Sequence, residues 1–167
     1  RFIGYSSYNV ETWIRRFAQN EAGLWLFTLD TTPFYAESGG QVADQGTIHQ
    51  GELTWNVVDV RKEGDLIIHI CEGRKQPKPE PVIARINVDK RKATTRNHTG
   101  THMLNAALKR IIGQHVNQAG SIVNPDYLRF DFTHSERLSS NQVEEVERLV
   151  NRKIRENIGL NIFETGY

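Results

Sequence analysis

Two histidines stand four residues apart in the segment 96–104, directly before an apolar run of helix-forming residues. Residues at this spacing lie on one face of a helix, so both imidazoles could reach one metal ion at about 2.0–2.1 Å from each nitrogen. A stable zinc site needs three or four protein donors. His98 and His102 therefore supply half of a metal site, or they are two partly exposed surface histidines.

A second segment with chemical potential is the glycine-containing stretch 30–46. Its adjacent Gly39 and Gly40 permit backbone conformations that are closed to other residues, so a ligand or another segment can approach closely beside Gln41 and Asp44. A tight corner of a β-barrel would need the same freedom. Considered alone, the residues leave both interpretations open.

Length and composition predict a soluble globular protein. The chain has 167 residues, 38% hydrophobic and 25% charged, with a formal net charge of +1, which fits one domain or two small ones. The single Cys71 excludes an internal disulfide and is typical of a reducing compartment. No run is apolar enough for a membrane span and no signal peptide is visible, so we expect a cytoplasmic protein. Because Met103 is the only methionine, we expect a part of a longer polypeptide.

The elements that must position these residues divide the chain into 1–88 and 89–167. The first part contains short β-branched and aromatic runs separated by turn residues, which predict a small antiparallel β-barrel that includes the Gly-Gly-Gln loop. Its opening is ambiguous, because the apolar spacing fits a helix while 20–23 fits a hairpin turn. The predicted strands are 24–29, 53–60, 66–71 and 82–88, and a proline-rich loop is predicted at 76–81.

The second part has the pattern of a mixed α/β region. We predict a helix over 97–112 that carries both histidines and ends at Gly113, because glycine often follows the last helical turn. Short strands at 115–123 and 128–132 should follow it, joined by a turn with proline.

A second helix is predicted near the end of the chain. Ser139 and Gln142 make a capping box at its start, and Gly159 should close it. The tail 160–164 alternates like a strand. The predicted fold class is therefore α+β, with a small antiparallel β-barrel followed by an α/β core whose His-x-x-x-His helix packs on a short antiparallel sheet.

Four blocks, taken together, resemble the editing region of the alanyl-tRNA synthetase family. From Thr32 the chain reads Thr-Pro-Phe-Tyr-Ala-Glu-Ser-Gly-Gly-Gln, as the family does, and from His98 it reads His-Thr-Gly-Thr-His-Met-Leu, where the family typically has His-Thr-Ala-Thr-His-Leu-Leu. Segments 118–121 and 128–132 match the family blocks Gln-x-Gly-Ser and Leu-Arg-Phe-Asp-Phe. The resemblance covers essentially the whole chain, and the departures leave both histidines in place.

The resemblance implies an aminoacyl-tRNA ester hydrolase within an aminoacyl-tRNA ligase, which removes serine or glycine wrongly attached to tRNA(Ala). The family holds zinc with the two histidines and a later Cys-x-x-x-His pair, which we expect beyond Tyr167. By resemblance, His98 and His102 are metal ligands and catalytic residues, and Gln118 is a further catalytic residue. With half of the ligands we expect weak zinc binding, and weak activity or none, in the isolated chain. ATP and Mg²⁺ would act only in an aminoacylation domain outside this chain.

Selection of the substrate also needs polar groups, because serine differs from alanine by one hydroxyl and an apolar pocket separates the two poorly. Without the resemblance, Thr32 would be an ordinary strand residue and Gln118 a surface amide. With it, substrate contacts are assigned to Thr32, Gly39, Gly40, Gln41, Thr101 and Ser121. For this interpretation to hold, the paired histidines and the glycine loop must meet in the fold.

The implied partners are the acceptor end of tRNA(Ala) and the remainder of the synthetase, and no other protein partner is predicted. The basic run 90–96 could contact phosphates. Outside the site, we expect His115 and His134 to be satisfied or solvent-facing. Arg129 and Asp131, which alternate on one strand, could pair with neighbours or approach RNA, and a structural ion pair is favoured.

Three alternatives stay open. A free-standing editing protein would have the same chemistry, but we expect it to carry its own second ligand pair. The editing domain of threonyl-tRNA synthetase shares the paired-histidine helix, yet Gly39-Gly40-Gln41 argues against it. A noncatalytic RNA-binding module, in which the histidines are incidental, belongs to a different functional class.

Overall fold

The computed structural model describes residues 1–159, so the strand predicted at 160–164 lies outside the described residues. Seven strands come before the first helix, and a two-stranded hairpin lies between the first helix and the second, an order typical of the α+β class. The elements in chain order are β1 (Asn9–Thr12), β2 (Ile14–Gln19), β3 (Trp25–Leu29), β4 (Gly46–Gln50), β5 (Leu53–Glu63), β6 (Leu66–Glu72), β7 (Val82–Ile86), α1 (Val88–Ile111), β8 (Gln118–Val123), β9 (Leu128–Phe132) and α2 (Ser140–Glu156).

The first seven strands form one antiparallel sheet in the order β1-β7-β4-β5-β6-β3-β2. Its two edge strands, β1 and β2, are consecutive in the sequence and are separated only by Trp13. One nearly continuous segment therefore pairs with β7 at one end of the sheet and with β3 at the other, and the sheet curls into a half-barrel. Alternate residues of its strands fill the concave core, which contains Trp25, Phe27, Phe34, Ile48, Trp55, Val57, Val60, Cys71, Val82, Ala84 and Ile86.

The structure confirms the four strands predicted in this half and shows three more. The helical spacing near the start of the chain was misleading, because 9–19 forms β1 and β2. The hairpin turn predicted at 20–23 is confirmed, since the amide of Gly23 donates to the carbonyl of Asn20 at 2.9 Å. Gly23 has φ +79°, a conformation that favours glycine at this turn.

Helix α1 begins at Val88 and not at the predicted Asn97. Asn87 caps it, because its side-chain oxygen accepts the amide hydrogen of Lys90 at 3.0 Å. The first turns bury Arg91 and Thr94 instead of apolar residues, so apolar periodicity could not reveal them. The helix ends as predicted, with Gly113 directly after the C-cap residue and at φ +144°.

Beyond α1, strands β8 and β9 form a two-stranded antiparallel sheet, and β8 begins at Gln118, later than predicted. The predicted capping box of α2 is confirmed by the reciprocal bonds of Ser139 and Gln142. The helix ends at Asn157, which adopts φ +46°, and not at Gly159. A second core packs α1, α2 and the small sheet around Ala107, Leu108, Val116 and Val146. Within residues 1–159, neither helix has the length and apolar character that crossing a bilayer requires.

Candidate functional site

The paired histidines of α1 lie side by side, as their spacing predicts. The rings of His98 and His102 are stacked, with centroids 5.0 Å apart and an angle of 18° between their planes. His98 is half-buried and His102 is exposed. The pair thus presents two imidazoles to solvent on one side of the helix.

Gln41 from the glycine loop reaches the first of these rings. Its Oε1 lies 2.6 Å from Nδ1 of His98, across a sequence separation of 57 residues. Because an amide oxygen only accepts, Nδ1 carries the hydrogen and Nε2 keeps a free lone pair. Burial, and then the neighbouring charge of His102, lower the pKa of His98. Both effects favour the neutral ring that a metal ligand must be.

The glycine loop is held against β8 by backbone bonds on both sides of Gln41. The carbonyl of Gly40 accepts the amide of Val123 at 2.8 Å, and the amide of Val42 donates to the carbonyl of Val123 at 3.0 Å. Gly40 has φ +82°, and a Cβ there would lie 2.4 Å from Oγ of Ser121. Only glycine fits at this approach.

On β8, Ser121 also contacts Gln118, whose Nε2 donates to its hydroxyl oxygen at 3.1 Å. Gln118 is exposed and Ser121 is partly buried. The fold therefore brings together most of the site residues expected from the sequence, which come from the loop, α1 and β8. These are Gly39, Gly40, Gln41, His98, His102, Gln118 and Ser121.

The two threonines expected to contact substrate have hydroxyls that are engaged inside the protein. Thr32 is 1% exposed, and its Oγ1 lies 2.7 Å from Nε2 of His69 and accepts the amide of Phe34 at 3.1 Å. Thr101 is also buried, and its hydroxyl donates to the carbonyl of Asn97 at 2.8 Å.

A contact that the sequence did not reveal lies two helical turns before the histidines. Arg91, expected in the phosphate-binding run, is buried and forms an ion pair with Asp44 of the glycine loop. It is therefore unavailable for the phosphate contacts that the basic run could make. The one available signal was its spacing of seven residues from His98, which places both on one helical face.

The two histidines fit two positions of a zinc site. Imidazole suits zinc, and an amide oxygen on the other ring nitrogen is the kind of partner that orients a metal-binding histidine. Within residues 1–159, no third histidine, cysteine or carboxylate is placed to join them. Cys71 lies in the sheet core, where burial raises its pKa to about 12. On α1, three residues after His102, Oδ1 of Asn105 is buried, and none of the described side chains or amides bonds to it.

Two expectations for residues outside the site are confirmed. His115 and His134 bond to each other, with Nε2 and Nδ1 2.9 Å apart. Nε of Arg129 lies 2.9 Å from Oδ1 of Asp131 in an exposed ion pair.

An apolar cavity of about 960 Å³ lies between α1 and α2. Gly100, Met103, Phe132 and Val146 are among its lining residues, whereas the paired histidines are not. Its surface is mostly apolar, with Arg96, Asn97, Glu147 and Lys153 also among its lining residues. The polar cluster around His98 is therefore the better candidate site.

Comparison with known proteins gives a consistent result. Residues 10–91 match a family model described as tRNA synthetases class II (A). The chain is 45% identical over 163 residues to the alanine–tRNA ligase of Cytophaga hutchinsonii, which covers 96% of this chain and 19% of that protein. It is 50% identical over 135 residues to the alanine–tRNA ligase of Methylococcus capsulatus, which covers 79% of this chain and 16% of that protein. The chain thus spans about a fifth of the length of the curated relatives it matches.

Proposed function

The chain belongs to the alanine–tRNA ligase family, and from that premise we propose that the cluster around His98 hydrolyses the ester of tRNA(Ala) mischarged with serine or glycine. The contact between Gln41 and His98 carries the proposal. It joins the glycine loop and the histidine helix, the two blocks on which the resemblance chiefly rests.

Each residue of the cluster has a role in this proposal. His98 and His102 would hold zinc through their free ring nitrogens, with the remaining ligands from the Cys-x-x-x-His pair of the family. The bound ion would acidify a water, polarise the ester carbonyl or orient the substrate. Gln41 retains the proton on Nδ1 of His98, which leaves Nε2 free to bind.

The polar groups beside the histidines support selection of serine over alanine. Gln118 is exposed and Ser121 is partly buried, so the pair can offer a donor and an acceptor to a substrate hydroxyl. A site that must hydrogen-bond this hydroxyl would reject alanine far better than an apolar pocket. Thr32 stays in the proposal only as a residue that shapes the site from within the half-barrel.

The proposed partner is the acceptor end of tRNA(Ala). On α1, Lys92 and Arg96 are exposed, whereas Lys90 donates to Oε1 of Gln45 at 2.6 Å. Lys92 and Arg96 could neutralise phosphates along α1. Attachment of alanine with ATP and Mg²⁺, and a cytoplasmic location, are part of the same proposal for the whole enzyme.

The test uses the full-length protein that carries this sequence and tRNA(Ala) charged with serine. We expect His98→Ala to lower the rate of serine release by about 100-fold or more, since it removes a metal ligand. His115→Ala, a histidine of the distant pair, is the matched control and should keep the native rate. Undiminished release by His98→Ala would refute the role of His98, and no release by the native protein would instead favour a noncatalytic RNA-binding module.

A further inference from the structure

The buried ion pair between Arg91 and Asp44 ties the histidine helix to the glycine loop. Their side chains are only 9% and 7% exposed. Nε of Arg91 donates to Oδ1 of Asp44 at 2.9 Å, and a terminal nitrogen donates to Oδ2. The guanidinium also donates to the carbonyls of Gly4 at 2.7 Å and Pro33 at 3.0 Å. One side chain therefore fixes three segments of the half-barrel against α1.

Asp44 in turn closes the glycine loop at its base. Its Oδ2 accepts the amide of Tyr35 at 2.7 Å, and its own amide donates to the carbonyl of Tyr35 at 3.0 Å. Tyr35 and Asp44, the two ends of the loop 35–44, are therefore bonded to each other through the carboxylate that also binds Arg91. Gln41 lies three residues before Asp44 within this closed loop.

The two contacts between the loop and α1 lie on the same face of the helix. Arg91 and His98 are seven residues apart, which is nearly two helical turns and about 10 Å along one face. Asp44 meets the first of them and Gln41 meets the second. A rotation of α1 that opened the first contact would also shift the ring of His98 away from Gln41.

We propose that Arg91 and Asp44 are positioning residues for the site, and that they act on His98 through Gln41. A buried ion pair is a poor source of stability, because apolar residues of similar volume often do as well. The forked guanidinium of Arg91 instead fixes the orientation of α1 relative to the glycine loop. The half-barrel is then part of the catalytic unit and not only a neighbour of it.

This inference rests on the proposed function for its kinetic readout, so the experiment also includes a readout that needs no activity. The main variant is the double replacement Asp44→Asn with Arg91→Met in the full-length protein. It removes both charges together, so no unpaired charge stays buried, and the new amide oxygen can still accept from Tyr35. The ¹⁵N signals of the His98 ring, recorded after a chelator has removed any zinc, report its tautomer directly, because zinc on Nε2 would hold the Nδ1–H form whatever Gln41 does.

In this double variant we expect the His98 ring to leave its single Nδ1–H form. We expect kcat for serine release to fall about 10- to 100-fold while KM changes less than about threefold, the range typical of partners that orient a ligand. Adding Gln41→Ala should cause no further loss, because both changes act on the same contact. Val57→Ala, a cavity in the sheet core, is the control that destabilises the protein without lowering kcat.

Unchanged ring signals and native kcat in the folded double variant would overturn the proposal. Losses that multiply independently with Gln41→Ala would also overturn it. If the double variant does not fold, Arg91→Lys replaces it, since lysine keeps the charge and lacks the fork; native ring signals in Arg91→Lys would then refute the role of the fork. If the native protein releases no serine, the proposed function fails, and the ring signals still decide this inference.

Discussion

Replacement of Thr32 by valine tests how the half-barrel uses its buried hydroxyl. Thr32 is 1% exposed, and its Oγ1 lies 2.7 Å from Nε2 of the fully buried His69. Nδ1 of His69 lies 3.0 Å from the carbonyl oxygen of Phe27, which can only accept. Nδ1 therefore carries the ring hydrogen, and the hydroxyl of Thr32 must donate to Nε2.

The cost of Thr32→Val follows from these bonds. Valine has nearly the same shape, so no cavity forms, but Nε2 of His69 loses its donor and the amide of Phe34 loses its acceptor. Each buried polar group left without a partner costs about 1–3 kcal/mol. We expect the free energy of unfolding to fall by at least about 2 kcal/mol. Thr32→Ser keeps the hydroxyl and should cost about 1 kcal/mol for one methyl group.

Urea denaturation followed by tryptophan fluorescence would measure these changes. The pair Thr32→Val with His69→Phe removes both polar partners and should recover much of the loss. A loss below about 0.5 kcal/mol for Thr32→Val alone would refute the assignment of the bond. The same variant tests the sequence-based expectation that Thr32 separates serine from alanine, because release of both amino acids from tRNA can be measured on it.

Three further predictions concern His69, Gly40 and Asn105. Burial lowers the pKa of His69 from 6.5 to about 4, so the unfolded state binds more protons than the folded state between these pH values. The free energy of unfolding should therefore fall by about 3 kcal/mol as the pH drops from about 6.5 to 4. Denaturation curves of His69→Phe should show a weaker pH dependence than those of the native protein. Gly40→Ala should lower the free energy of unfolding by more than about 2 kcal/mol, because the new Cβ would clash with Ser121. Gly39→Ala is the control and should lower it by about 1 kcal/mol, because a Cβ at that position meets no neighbour. Equal melting temperatures of the two variants would contradict this. Asn105→Leu removes a buried oxygen that bonds to none of the described groups, so it should leave the free energy of unfolding unchanged or raise it by up to about 2 kcal/mol. A clearly lower melting temperature of this variant would mean that the oxygen has a partner.

Much of the fold could be predicted because it follows from local rules. Strands such as β3 and β7 alternate apolar and polar residues, and Ser139 with Gln142 marks the start of α2. Strands β1, β2 and β4 and the first turns of α1 escaped prediction. Strand β4 contains one large apolar residue, Ile48, and buries Gln50, and the first turns of α1 bury Arg91 and Thr94, so no apolar pattern marks either.

The candidate site shows the same division. The spacing of His98 and His102 is enough to place two imidazoles on one helical face, and the adjacent glycines indicate a close approach. What the loop approaches could not be derived from its residues. The structure supplies the answer in Val123 and Ser121 of β8, against which Gly40 packs.

By itself, the sequence determined most of the local elements, the ring pair and the four family blocks, since each depends on residues close together in the chain. Tertiary structure alone decided three hydrogen-bonded contacts. They join Gln41 to His98, Asp44 to Arg91 and Thr32 to His69, across separations of 57, 47 and 37 residues. Such contacts depend on how the half-barrel and α1 pack, and helix and strand periodicities carry no information about that packing.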